Sequence, residues 1–193
     1  MPRLTREDRQ YLLRLARSAI ARELGEDDLH DRIEKPSAEL KTPQGCFVTL
    51  EKQGALRGCI GTLEPVTPLA DGVKENAKNA AFHDSRFSPL KKQELDQIEI
   101  EISRLTVPID LQFSSPQELL EKLKPGVHGV ILQRGWHRST FLPQVWDQLP
   151  DKVQFLEHLC RKAGLGANCW KEKDLSIKVY EVEHFSEKAL GVE

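Results

Sequence analysis

The 193 residues carry 28 lysines and arginines against 30 aspartates and glutamates, a net charge of −2, with 39% hydrophobic and 30% charged residues. That length buries a core without help from disulfides, and the near-even charge excludes the basic excess of a nucleic-acid surface. No apolar run approaches the roughly 20 residues needed to span a bilayer, and the charged opening Met1-Pro2-Arg3-Leu4-Thr5-Arg6-Glu7-Asp8 lacks the apolar stretch of a secretory signal, so a cytoplasmic location is expected, with no membrane partner.

Thr5 followed by Asp8 marks a helix start, and Leu12, Leu13, Leu15, Ala16, Ala19 and Ile20 recur at helical spacing up to Leu24-Gly25. The polar stretch from Gly25 to Pro43, with Pro36 inside it, predicts a surface loop and a candidate cover. Two apolar runs, Cys46 to Glu51 and Ala55 to Gly61, flank Lys52-Gln53-Gly54 and predict a β-hairpin. Gly58 and Gly61 bracket Cys59 in its second strand, where glycine is unfavourable unless the backbone bulges or something approaches closely. Thr67-Pro68 predicts a helix with a hydroxyl cap and proline in its first turn, running through Leu69, Ala70, Val73, Ala77, Ala80 and Ala81 to about Phe82.

A polar loop from His83 to Leu90 follows. Ile98 to Leu105 alternates strictly, which predicts a strand with its isoleucines inside and its glutamates in water. Ser115-Pro116 caps a short helix through Leu119, Leu120 and Leu123. His128 to Gln133 and Ser139 to Leu142 predict a second hairpin around Arg134-Gly135-Trp136. Asp151 caps a helix carrying Val153, Phe155, Leu156, Leu159, Cys160 and Ala163 that stops at Gly164. Leu175 to Phe185 reads as a last strand. Hairpins mixed with helices, without a βαβ rhythm, predict an α+β fold with antiparallel sheet flanked by helices, as one domain over residues 1–193.

Of the four cysteines, Cys46, Cys59, Cys160 and Cys169, none forms a Cys-x-x-Cys pair, and in a cytosolic chain all are expected as thiols rather than bridges. His158 and Cys160 are wrongly spaced to share a helix face. No metal and no cofactor is therefore expected, and no Walker or dinucleotide fingerprint is present.

The hexapeptide Leu56-Arg57-Gly58-Cys59-Ile60-Gly61 resembles the hallmark of the AMMECR1 family. The resemblance continues through Asn79-Ala80-Ala81-Phe82-His83-Asp84-Ser85-Arg86-Phe87-Ser88-Pro89-Leu90, Gly126-Val127-His128-Gly129-Val130, Phe141-Leu142-Pro143-Gln144-Val145-Trp146 and Phe155 to Leu165, and spans about residues 5 to 185. It implies a two-lobed α+β domain, a smaller second lobe within it, and the hexapeptide lining a cleft. Bacterial and archaeal members resemble protein A of the AmmeMemoRadiSam set, which implies Memo-like and radical-SAM protein partners. It implies no settled reaction.

Cys59 admits two readings. It is a small buried hydrophobe, or it is a nucleophile whose flanking glycines and nearby Arg57 favour the thiolate. A nucleophile needs a base, and the candidates are His83 and His128, each of which also reads as an ordinary loop histidine. Arg86 is either a clamp for carboxylate or phosphate or a brace for its own loop through Asp84. Thr62, with the helix that begins near Pro68, offers backbone donors to an anion. Arg57, Gly58, Gly61, Thr62 and Arg86 are thus the candidate substrate-binding residues. The aromatic corner Phe141 to Trp146 either closes the core or forms a partner surface. Two functions follow. One is a small enzyme using Cys59 on a small or peptide-linked anionic substrate. The other is an adaptor docking a peptide or protein through the Leu56–Gly61 groove.

Overall fold

A computed structural model describes residues 3–26 and 37–192. The fold is α+β, with two four-stranded antiparallel sheets. The chain divides into two compact units, Met1–Val107 with Glu183–Glu193, and Pro108–Val182.

In the first unit, helix α1 (Arg6–Glu23) opens as its sequence predicts: the Thr5 hydroxyl accepts the Asp8 N–H, and Glu7 and Asp8 place negative charge against the first turn. Strands β1 (Cys46–Lys52) and β2 (Ala55–Thr62) form the first hairpin. Its two turn residues, Gln53 and Gly54, both have positive φ, a geometry whose twist matches that of the flanking strands. Strand β3 (Ile98–Leu105) pairs with the other side of β1, and the sheet order β2-β1-β3-β8 leaves β2 at an edge; β8 is Val182–Ser186. Val48, Leu50, Ile100 and Ile102 bury one face against Leu12, Leu13, Ala16 and Ile20 of α1 and Leu69, Val73, Ala77 and Ala80 of α2 (Leu69–Phe82).

Three expectations need correction here. Helix α2 starts one residue late, with Pro68 in the cap position and no side-chain cap, because the Leu69 N–H is taken by the Thr42 carbonyl at 3.0 Å. The outer face of β3 is not open water: Glu99 and Glu101 are half-buried and Ser103 is buried. At the inner position after Ile102 stands Arg104, fully buried because Gln44 and the carboxylates of Glu39 and Glu183 hold its guanidinium. Finally, the last predicted strand is two strands. Strand β7 (Ser176–Tyr180) ends before Glu181, and β8 continues in the other sheet. Most of the predicted 25–43 loop, residues 27–36, lies outside the described residues; beyond them a 3₁₀ turn at Glu39–Lys41 buries Leu40.

The second unit holds the sheet β4-β7-β5-β6, with β4 Ile109–Asp110, β5 Gly129–Arg134 and β6 His137–Phe141. Ser115 caps α3 (Pro116–Lys122) and Asp151 caps α4 (Lys152–Lys162), each accepting the N–H three residues on. Trp146 stacks on Phe155 at 3.6 Å and donates its Nε1–H to the His128 carbonyl at 2.7 Å, so the aromatic corner closes the core. Trp136, in the hairpin turn, is the fully exposed tryptophan. The expectation that all cysteines are thiols fails in this unit. Cys160 and Cys169 form a disulfide, nine residues apart with Cα atoms 5.9 Å from each other. A 3₁₀ turn at Cys169–Lys171 folds back onto α4, and this brings Cys169 into the core.

Candidate functional site

The hairpin register decides what Cys59 meets. A bulge at Leu50/Glu51 shifts the pairing by one residue, so Thr49 faces Cys59, and Thr49 in turn faces Glu101 of β3. The Cys59 amide and carbonyl point away from β1, which makes this the kind of pair whose side chains approach most closely. The Thr49 hydroxyl accordingly donates to Cys59 Sγ at 3.2 Å. Cys59 is half-buried, and Cys46 is the other free thiol.

The outward backbone of Cys59 is held by the loop after α2. Its N–H donates to Asp84 Oδ2 at 2.9 Å, and its carbonyl accepts from Arg86 Nη2 at 3.2 Å. Asp84 and Arg86 are themselves joined bidentately, Nε to Oδ1 at 2.9 Å and Nη2 to Oδ2 at 2.7 Å. The Arg86 hydrogen bond is the main cause holding the Asp84 carboxyl well below the usual range; burial opposes it, and the Cys59 and Arg86 N–H groups add to it. Arg86 is pushed up by Asp84 first, and the Cys59 thiol acts in the same direction. These bonds occupy the edge positions at which another strand would pair.

Arg57 turns away from the sulfur. Its Nε and Nη2 grip Glu94 at 3.1 Å each, and Nη2 also donates to the Ser88 carbonyl at 2.9 Å. Glu94, which also accepts from Lys52, is held at about 2, chiefly by the Arg57 hydrogen bond. The Phe87 ring lies 6.0 Å from the Arg57 guanidinium carbon and 5.4 Å from that of Arg86. The two glycines are tight spots: a Cβ on Gly58 would sit 2.1 Å from the Ala80 carbonyl oxygen, and one on Gly61 would sit 2.2 Å from the Phe47 ring. Their missing side chains let α2 and β1 close on the strand that carries Cys59.

The AMMECR1 family model matches residues 13–185. The chain belongs to the AMMECR1 family. Protein MK0488 of Methanopyrus kandleri is 40% identical over 196 residues, covering 96% of this chain and 91% of that protein. A Methanothermobacter thermautotrophicus protein is 40% identical over 186 residues, covering 95% and 96%. The crystal structure of the uncharacterized protein PH0010 from Pyrococcus horikoshii superposes with a TM-score of 0.86 at 35% identity, over 97% of this chain and 95% of that one.

The remaining candidates of this AMMECR1 chain lie elsewhere. His83 caps the end of α2, exposed, with Nδ1 3.2 Å from Asn79 Oδ1. His128 belongs to the second unit, where it is buried and its Nδ1 accepts the Lys124 N–H at 3.3 Å; burial first, and then Lys124, push its pKa down. The hydrogen bond to Cys59 Sγ thus comes from a threonine that sequence reasoning passed over. Counting outward from the turn pairs Thr49 with Gly58, and only the bulge corrects this. Thr62 is exposed at the end of β2; at the start of α2 the first amide is already bonded to Thr42 and Asp71 adds a negative charge. Among the described residues no group of three or more His, Cys, Asp or Glu could hold a metal ion, and no helix is long and apolar enough to cross a membrane.

Proposed function

We propose that this AMMECR1-family protein is a small cytoplasmic enzyme in which Cys59 is the nucleophile, acting on a small or peptide-linked anionic substrate alongside Memo-like and radical-SAM proteins. The observation that carries this reading is the contrast among the cysteines. Cys46 is buried and burial pushes it up to about 11, while Cys160 and Cys169 are bonded to each other. Cys59 is half-open, with a hydroxyl donating to its sulfur and with its amide and carbonyl both anchored. A hydroxyl aimed at its sulfur and a guanidinium bonded to its carbonyl set Cys59 apart from the buried and the bonded cysteines. Arg86, whose side chain is 53% exposed though paired with Asp84, is the group beside the Cys59 backbone that an anionic substrate would contact. His83 and His128 bond to other groups, so the reading rests on Cys59, Thr49 and Arg86.

Iodoacetamide labelling of the native protein, followed by peptide mapping, tests it. Cys59 should label first, Cys46 only on unfolding, and Cys160 and Cys169 only after reduction. Cys59→Ser should keep the melting temperature, and Thr49→Val should slow the labelling of Cys59. If Cys59 labels only on unfolding and its serine variant melts far earlier, the residue is core and the adaptor reading takes its place. The half-exposed Leu56 on the edge strand favours that second reading, in which a peptide docks along Leu56 to Gly61.

A further inference from the structure

In the second unit the sheet edge opens into a slot. Strands β4 and β7 pair only at Ile109–Asp110, and the Leu111 N–H donates once more to the Ile177 carbonyl at 2.9 Å. Past that bond the segments 112–116 and 170–175 diverge and enclose about 390 Å³, within the size range of small-ligand sites. Leu111, Phe113, Leu175 and Ile177 give it apolar walls.

Trp170 also lines the slot. It is 3% exposed, and its indole N–H is buried without an acceptor. Buried indole N–H groups are normally bonded, as that of Trp146 is to the His128 carbonyl in the same unit. Nearby, the Ser114 hydroxyl donates to Glu118 and the Lys178 ammonium faces Asp110 at 3.8 Å. Two cations stand on the same wall. Lys171 Nζ lies 5.0 Å from the Trp170 ring, Lys173 follows two residues on, and Glu172 stands between them. An unused buried donor, two ammonium groups and apolar walls together complement a carboxylate carried on an apolar body.

We infer that this slot binds an apolar carboxylate, one oxygen accepting the Trp170 Nε1–H, the charge set toward Lys171, and the apolar part against Phe113 and Leu175. The same chemistry is offered by a peptide ending in a large apolar residue and by a free acyl acid. The site lies in the second unit and does not depend on the reading of Cys59.

The test is indole N–H NMR on the full ¹⁵N-labelled chain. The three tryptophans give three indole signals, and Trp170→Phe, which keeps an aromatic ring and removes the donor, identifies the relevant one. The probes are N-acetyl-leucine, octanoate, and N-acetyl-leucinamide, which has the first probe's body without its charge. The proposal expects a saturable downfield shift of the Trp170 signal with at least one acid, an unmoved Trp136 signal, and amide binding at least about tenfold weaker. A response to N-acetyl-leucine identifies the peptide end as source, and a response to octanoate alone the free acid. Lys171→Ala should weaken the acid and leave the amide unchanged, and it serves as the test if Trp170→Phe fails to fold. Equal binding of acid and amide, or a Trp170 signal unmoved by either acid at tens of millimolar, overturns the inference.

Discussion

Replacing Gly58 by alanine tests how the fold holds Cys59. The added Cβ would lie 2.1 Å from the Ala80 carbonyl oxygen and 3.0 Å from its carbon, where ordinary contacts begin at 3.4 Å. The strand and the helix must therefore separate by about 1 Å, and both obstacles are backbone. On the helix side, Ala77, Ala80 and Ala81 are buried and have no long side chain to swing away. The cost should fall at the upper end of the overpacking range, about 3 kcal/mol. For a chain of this size each kcal/mol lowers the melting temperature by roughly 2–4 °C, which gives a drop of about 6–12 °C. Gly54→Ala is the control: it meets open space and suffers only from its φ of +77°, a penalty of about 1 kcal/mol. Because the loop that follows α2 carries Asp84 and Arg86, a shifted helix should also change the rate at which Cys59 is alkylated. If Gly58→Ala melts no earlier than Gly54→Ala, α2 and β2 are not in close contact and the argument for a built Cys59 site loses its frame.

Ile100→Ala should cost about 2–5 kcal/mol in urea unfolding, through lost burial plus a cavity in the first unit's core; a curve matching wild type would mean that the inner face of β3 is wrongly assigned. Glu94 makes a pH prediction. Its carboxyl is held at about 2, below its ordinary value, so the stability it contributes is present above about pH 4.5 and is lost as pH falls toward 2. Glu94→Gln should lower stability at neutral pH by about 3 kcal/mol, since Arg57 is left half-buried without its carboxylate, and should flatten the acid limb of the stability curve. Parallel curves for variant and wild type between about pH 5 and 2 would show that the pair carries no such linkage.

Elements with strong local signals were legible in the sequence. Thr5, Ser115 and Asp151 cap the helices they announce, and the Gln53-Gly54 turn forms its hairpin. What could not be read depends on distant partners. The apolar alternation changes phase between Val179 and Val182, which marks the break at Glu181, but nothing local shows that the chain there changes sheets. The alternation of β3 predicts a wet outer face, yet nothing within the strand announces that Glu101 is half-buried or that Arg104 finds Glu39 and Glu183. The disulfide escaped for the same reason: Cys160 reads as a helix-face residue, Cys169 lies beyond that helix, and only the fold of the turn joins them. At the site, the glycines flagged Cys59 correctly as a place of close approach, while the bulge that assigns Thr49 to it leaves no mark in the residue pattern.

Arg86 was read as either clamp or brace, and its bonds bear on how an anion could be recognised. Its hydrogen bonds go to Asp84 and to the Cys59 carbonyl, which is the brace. The Asp84 carboxyl is held well below its usual range and is ionised at neutral pH, so an anion arriving at Arg86 meets a neutralised pair rather than a free cation. Arg57 is neutralised by Glu94 in the same way, and Lys52 joins that pair. Three cations against two carboxylates leave one positive charge around the loop, which suits a singly charged group better than a phosphate ester. The braces also bear on the adaptor reading. A docking strand needs the edge amides and carbonyls of β2, and at Cys59 both are already bonded. A peptide could add to this edge only by displacing Asp84 and Arg86, whereas a reaction at the sulfur makes no demand on these backbone groups. That difference, more than the presence of a cysteine, favours chemistry over docking at this strand.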